Sequence, residues 1–235
     1  MNTKAPSSAL AQIRQRRAHT LTSIVREEID GMIASGELSG GDRINESEVA
    51  ARLGISRGPV REACRSLEEA GLLVSAVNHG VFVREMTLHD ARELYEVRSA
   101  LSGLIGRLAA SRVTPAALQT LQGLLGDMNT AAGQGDLSGY YKLNLSFHEL
   151  LMKIADNQTL ADLYLSIVRQ THLFRRRGLV HQGSLQTSNE EHQAIVQALA
   201  AGDAAAAETA LTRHVAQGWQ RLAATVAPAG TAETP

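Results

Sequence analysis

Cysteine is nearly absent from this 235-residue chain, and its single thiol, Cys64, excludes an internal disulfide framework. A lone thiol also fits a reducing compartment, the cytoplasm. Aromatic residues make up only 3% of the chain while Ala and Leu abound, a balance that favours helices. No apolar run approaches the roughly 20 residues of a membrane span. No apolar segment follows a basic one near the N-terminus, as a secretory signal would require. Neither sign of charge dominates: the formal net charge is −1, and residues 1–84 carry 11 Lys/Arg against 10 Asp/Glu. Any nucleic-acid surface must therefore be a local patch. The expectation is a soluble, mostly helical protein of one or two domains, working inside the cell.

Residues 1–18 mix Pro, Ser and Gln with Arg14, Arg16 and Arg17 and show no apolar period, which reads as a flexible basic arm. From Leu21 a helical period begins, with Leu21, Ile24, Val25, Ile29, Met32 and Ile33 on one face. It should stop near Ser35-Gly36, where glycine supplies a left-handed cap. "GELSGGDRI" reads as a glycine-rich turn. Asn45 with Glu48 three residues later predicts the start of a short second helix, buried through Val49, Ala50 and Leu53 and ended by Gly54. Ser56 can cap a third helix with Pro59 in its first turn, where a missing N–H costs little. Val60, Ala63, Cys64, Leu67 and Ala70 line its inner face, and Gly71 ends it. "LLVSAVNHGVFVREM" then alternates β-branched residues about Asn78-His79-Gly80, a hairpin signal.

Three helices and a hairpin, with a tight turn between the second and third, is the order of a winged helix-turn-helix. In such units the N-terminal end of the second motif helix enters the major groove. Ser56, Arg57 and Arg61 occupy that end, and the two arginines are four apart, so one helical face can carry both. An arginine fork can bond guanine O6 and N7 together. Ser56 and the early backbone N–H groups suit a phosphate. His79 and Gly80 fall at the tip of the wing. Viewed alone, arginines on a helix are usually a solvated face; the turn, the hairpin and the basic arm together favour DNA.

Beyond Thr87 only helical periods follow, with breaks near 111–115, 132–137, 156–158, 178–184 and 200–203, implying about six helices. Thr114-Pro115 and Ser188 with Glu191 read as helix starts. "HLFRRRG", around His172 and Phe174, reads as a helix end, because cations suit a helix C-terminus. The expected division is a winged helix-turn-helix domain over 19–86, a helical domain over 87–224 and a disordered tail over 225–235.

"YKLNLSFHELL" places Asn144 and His148 four apart on one helix, and His192 and His214 follow on later ones. Three imidazoles and an oxygen donor suit Zn, Ni, Co, Fe or Mn and leave positions for water or ligand. Spacing alone is a weak argument, since scattered histidines are more often surface or hydrogen-bonded core residues.

"INESEVAARLGISRGPVREACRSLEEAGLL", followed by "NHGVFV", resembles the GntR family of bacterial transcription regulators, whose recognition region reads close to S-R-x-P-V-R-E-A-L. Ser56, Arg57, Pro59, Val60, Arg61, Glu62 and Ala63 match, and Cys64 replaces the usual leucine. The resemblance implies base contacts for Arg57 and Arg61, within a DNA-binding set of Ser47, Ser56, Arg57, Gly58, Pro59, Arg61, His79 and Gly80. Ser47 stands where some members place a further arginine for DNA, and Glu62 is expected to make a local structural contact. Residues 88–222 resemble the helical ligand-binding FCD domain of the FadR-type branch. Many such domains hold a divalent metal through Asp-x-x-x-His and two later histidines. Asn144, His148, His192 and His214 take those places, with Asn144 replacing the aspartate by a weaker, neutral ligand.

The same resemblance turns Arg98 toward the effector cavity, where its fork would hold the carboxylate of a small organic acid, with Tyr95 one turn earlier donating a hydrogen bond. It implies a cytoplasmic homodimer on a palindromic operator, released as a repressor when effector binds. "MIASGEL" and "N-x-x-FH" point toward regulators of aromatic-acid catabolism such as vanillate repressors, with sugar acids and hydroxy acids open. Two rivals stand beside this reading. One is a metal-free regulator whose helical domain only dimerises. The other, a metallohydrolase, would need a general base and a substrate loop; neither HExxH nor a nucleophile elbow is present.

Overall fold

The computed structural model describes residues 8–77, 79–171 and 184–226. It separates into two compact units, Met1–Met86 and Thr87–Pro235.

In the first unit, α1 spans Ser8–Ser35, so the helix begins thirteen residues before the apolar period does. The arm expected over residues 1–18 is therefore helical from Ser8 onward. Its Ala, Leu, Gln and Arg are strong helix formers, and propensity extends the helix where periodicity is silent. The buried stripe is narrower than the spacing suggested: Val25, Ile29 and Ile33 are buried while Leu21 and Ile24 stay exposed. β1 (Arg43–Ile44) lies inside the segment read as a glycine-rich turn. α2 (Glu46–Arg52) starts at Asn45, whose side chain accepts from the backbone N–H groups of Ser47 and Glu48. α3 (Arg57–Glu69) follows Ser56, which occupies the N-cap without a side-chain capping bond. Val60, Ala63, Cys64 and Leu67 form its buried face. Gly71, at φ +74°, turns the chain out of the helix.

β2 (Leu73–Ala76) and β3 (Gly80–Val83) form the hairpin. β1 adds to the free side of β3, giving an antiparallel sheet of order β1-β3-β2 with Ile44 opposite Val81 and Leu73 opposite Val83. Two residues are too short to carry an alternating pattern, which is why β1 has no sequence signature.

The second unit is helical throughout its described residues: α4 (Leu88–Ala110), α5 (Pro115–Gln134), α6 (Leu137–Ala155), α7 (Gln158–Gln170), α8 (Ser184–Ala200) and α9 (Ala204–Val226). Thr87 and Asp90 close a reciprocal capping box on α4. Thr114 caps α5 with Pro115 in its first turn. The start expected at Ser188 is displaced: α8 begins at Ser184, and Ser188 is buried one turn inside it. Glu191 there serves side chains of α9 instead of capping its own helix. The charge run at 172–178 and residues 227–235 of the expected tail lie outside the described residues.

α4 and α9 pack at glycine. A Cβ at Gly106 would stand 2.5 Å from the Ala207 carbonyl oxygen and 2.9 Å from a Leu211 methyl, so only glycine permits this approach. Ser99 Oγ donates to the Thr212 carbonyl at 2.9 Å across the same seam. The core beside it is built from Tyr140, Phe147 and Leu151 of α6, Leu121 and Met128 of α5, and Ile195 and Leu199 of α8.

Candidate nucleic-acid interface and metal centre

At the start of α3 the guanidinium groups of Arg57 and Arg61 are more than half exposed, and both reach Glu46 in the first turn of α2. Arg61 Nε donates to Glu46 Oε2 at 3.1 Å, and Arg57 Nη2 stands 3.5 Å from the same oxygen. Solvent-exposed pairs of this kind contribute about 0–1 kcal/mol. They can therefore hold two arginines in one register and still be exchanged cheaply for another anion. Ser47, Ser56 and Gly58 are exposed beside them, and Pro59 is half-buried. Glu62 pairs with Arg65 at 3.1 Å, a contact within its own helix.

At the wing, His79 is exposed and Gly80 adopts φ +107°, a conformation that suits glycine. Arg43 of β1 lies over Gly80, with Nε 3.0 Å from where a Cβ would be. Sequence reading passed over Arg43 and Glu46. Their relevance comes from proximity across the sheet and across the helix-turn-helix, which local patterns do not encode.

In the second unit, His148 of α6, His192 of α8 and His214 of α9 converge. One nitrogen of each lies within 4.8 Å of the others, and all three residues are buried. His148 and His192 face one another through their Nε2 atoms at 3.4 Å. The rings of His148 and His214 stack at 5.2 Å, and Phe147 meets His192 edge-on at 4.8 Å. Asn144, one turn before His148, is buried on the same helix.

His214 Nδ1 is 2.7 Å from Glu191 Oε2. Arg221 clamps that carboxylate with two bonds, Nη1 to Oε1 at 2.5 Å and Nη2 to Oε2 at 2.9 Å. Burial pushes the Glu191 pKa up, but the bonds from His214 and Arg221 outweigh it and hold the carboxylate below its ordinary range. Burial pushes His214 down, helped by the charges of Arg221 and Arg98 and opposed by Glu191, and the net shift favours the neutral imidazole. Neutral imidazole is the form that binds metal. From sequence Glu191 was read only as a capping partner of Ser188, and Arg221 was not singled out, because a Glu beside a His on a helix gives no sign of reaching another helix.

Three buried imidazoles, with Asn144 buried one turn before His148, are a donor set that fits a divalent transition metal. Two nitrogens sharing a tetrahedral ion at ~2.0–2.1 Å stand about 3.4 Å apart, the spacing found between His148 and His192.

Arg98 of α4 is only 3% exposed. Burial works against its charge, but Tyr164 and Tyr95 outweigh it and keep the guanidinium protonated. It donates to the Tyr164 hydroxyl at 3.3–3.4 Å and lies 5.2 Å from the centre of the Tyr95 ring. Among the described residues it pairs with no carboxylate, an expensive condition for a buried cation. A groove of about 680 Å³ between α8 and α9 reaches Glu191 and His214, while His148, His192 and Arg98 lie outside its lining. No described helix is long and apolar enough to cross a membrane.

A winged helix-turn-helix joined to a helical unit with a buried ligand-type centre defines a class: DNA-binding transcription regulators with a separate effector domain. Residues 21–83 match the bacterial regulatory proteins of the gntR family, and residues 93–217 match the FCD domain. The chain belongs to the GntR family and carries an FCD domain. It is 38% identical over 199 residues to a "Probable D-xylose utilization operon transcriptional repressor" of Paenarthrobacter nicotinovorans, covering 84% of this chain and 86% of that protein. The HTH-type transcriptional repressor RspR of Escherichia coli is 30% identical over 175 residues, 74% of this chain and 77% of that one. The structure of E. coli McbR/YncC shares the fold at a TM-score of 0.77 and 23% identity, over 87% of this chain and 97% of that one. These families are transcription regulators, not enzymes. GntR regulators bind operator DNA, and FCD domains bind small-molecule effectors.

Proposed function

We propose that the protein is a cytoplasmic, homodimeric repressor, released from a palindromic operator when a small organic acid binds beside a divalent metal in the helical domain. The observation that carries this reading is the buried convergence of His148, His192 and His214, in a domain whose one buried arginine lacks a carboxylate partner among the described residues. His148, His192 and His214 would hold the ion, and Asn144 would add a neutral oxygen. A bound ion would supply positive charge for an anionic ligand. Arg98 would take the acid's carboxylate through its fork, with Tyr95 beside it. The name of the 38% relative, a probable D-xylose utilization operon repressor, favours a sugar-derived effector over an aromatic one.

At the other end of the chain, Arg57 and Arg61 would read base edges, and Ser56, Gly58, Pro59 and Ser47 would follow the backbone. His79 and Gly80 would enter the adjacent groove from the wing. Effector and DNA would then weaken each other by one shared coupling energy, as linkage requires. Metal content after mild purification, together with a thermal-shift screen of sugar acids, hydroxy acids and aromatic acids, tests the reading. Bound metal and a shift with one acid class support it. No metal and no metal-dependent shift would leave the helical domain as a dimerisation module only.

A further inference from the structure

Glu191 is next to His192 in sequence, yet it serves a different histidine. Its carboxylate turns away from its own neighbour to His214, 23 residues on, and is fixed there from the far side by Arg221. Both carboxylate oxygens are engaged: Oε2 takes His214 Nδ1 and one Arg221 nitrogen, and Oε1 takes the other. The Gln217 amide, oriented to satisfy both its ends, donates to Oε1 at 2.7 Å and accepts from Arg213 at 3.3 Å. The pair is largely buried, with Glu191 11% and Arg221 16% exposed at the side chain.

A carboxylate clamped by an arginine fork only accepts hydrogen bonds. The ring atom facing it must therefore be an N–H, so His214 carries its proton on Nδ1 and its lone pair on Nε2. Of the two neutral tautomers, this one leaves Nε2 for a shared ion. We infer that the Glu191–Arg221 pair is a positioning device that locks the tautomer and orientation of His214 as a metal ligand. Partners of this kind hold a ligating histidine by its outer N–H, and losing them typically costs 10–100-fold in metal affinity. The charges of Glu191 and Arg221 cancel, so the pair orients His214 without replacing the negative charge that Asn144 fails to supply. The inference rests on the metal reading of the histidine cluster, and its test separates the two.

The test uses the full chain, stripped of metal, in wild-type, Glu191→Gln, Glu191→Ala and His148→Ala forms. Zinc affinity is read by competition with a chromogenic chelator. The tautomer of His214 in the metal-free protein is read from two-bond ¹⁵N–¹H correlations, and melting without metal reports folding. The expected result is an Nδ1–H signal for His214 in wild type that is lost in Glu191→Ala. Zinc affinity should fall 10–100-fold in that variant and less in Glu191→Gln, whose amide oxygen still accepts. An Nε2–H signal in wild type overturns the inference. So does wild-type zinc affinity in both folded Glu191 variants. Should Glu191→Ala fail to fold, the wild-type tautomer signal and the zinc affinity of Glu191→Gln decide: an Nε2–H signal, or an affinity equal to wild type, overturns the inference. Wild type binding zinc no better than His148→Ala defeats the metal reading itself, and the tautomer signal then still decides whether the pair locks the ring.

Discussion

The Nε2 atoms of His148 and His192 stand 3.4 Å apart in a buried site although 44 residues separate them in the chain. Two protonated nitrogens would repel at that distance, so at least one ring presents a lone pair to the other. A shared cation removes the conflict for both. His148→Ala is expected to abolish stoichiometric metal retention and the metal-dependent rise in melting temperature. Asn144→Asp restores the carboxylate usual at that place and should tighten metal binding roughly tenfold, about 1.4 kcal/mol. Metal analysis and competition titrations check both. Unchanged affinity in Asn144→Asp would remove Asn144 from the ligand set.

On the DNA side, Arg57→Ala and Arg61→Ala should each cost about 1–3 kcal/mol on operator DNA and relax preference at one base position. Glu46→Gln should act in the opposite sense on random-sequence duplex, because it frees both arginines from their shared carboxylate. Fluorescence anisotropy on the intergenic DNA beside the gene, against a scrambled duplex, reads the ratio. Equal operator affinity in both arginine variants would contradict the assignment.

Gly106 lies where α4 meets the backbone of α9, and the obstacle to a side chain is a carbonyl that cannot rotate away. Gly106→Ala should cost about 1–3 kcal/mol by overpacking, whereas the same change at Gly123, with open space around it, should be neutral or stabilising. Chemical denaturation of the two variants side by side checks this.

Cys64 is 2% exposed, and burial, helped by Glu46 and Glu68, pushes its thiol up to about 11. The folded protein should resist thiol reagents at pH 8 and react fully once unfolded. The sign of the linkage follows. A pKa raised above the unfolded value of about 8.5 gives stability that is complete below that pH and is lost as pH rises toward the folded value. Melting temperature should therefore decline above about pH 9, less steeply in Cys64→Ala, where no thiol ionises. A folded thiol that reacts within seconds at pH 8 would place Cys64 outside the core.

The recognition helix was legible because its cap, its first-turn proline, its buried stripe and its arginines all lie within fourteen residues. The histidine cluster was legible only in part. Asn144 and His148 share a helix, but only the packed fold brings His192 and His214 to them. Glu46, Arg43 and Arg221, and the true partner of Glu191, were missed for that same reason: each acts on a residue of another element. Helix α1 exposed a different blind spot. Residues 8–18 show no apolar period, yet their composition is helical. At Ser188 a plausible capping pair misled, since Glu191 is held by α9.

The measurement that tests the account most directly is operator release by a candidate acid from three preparations: metal-loaded wild type, chelator-stripped wild type and His148→Ala. The account predicts release of DNA from the loaded protein, with at least roughly tenfold more acid needed for the other two, a coupling of about 1.4 kcal/mol or more. Release at the same acid concentration from all three would contradict a metal-supported effector site.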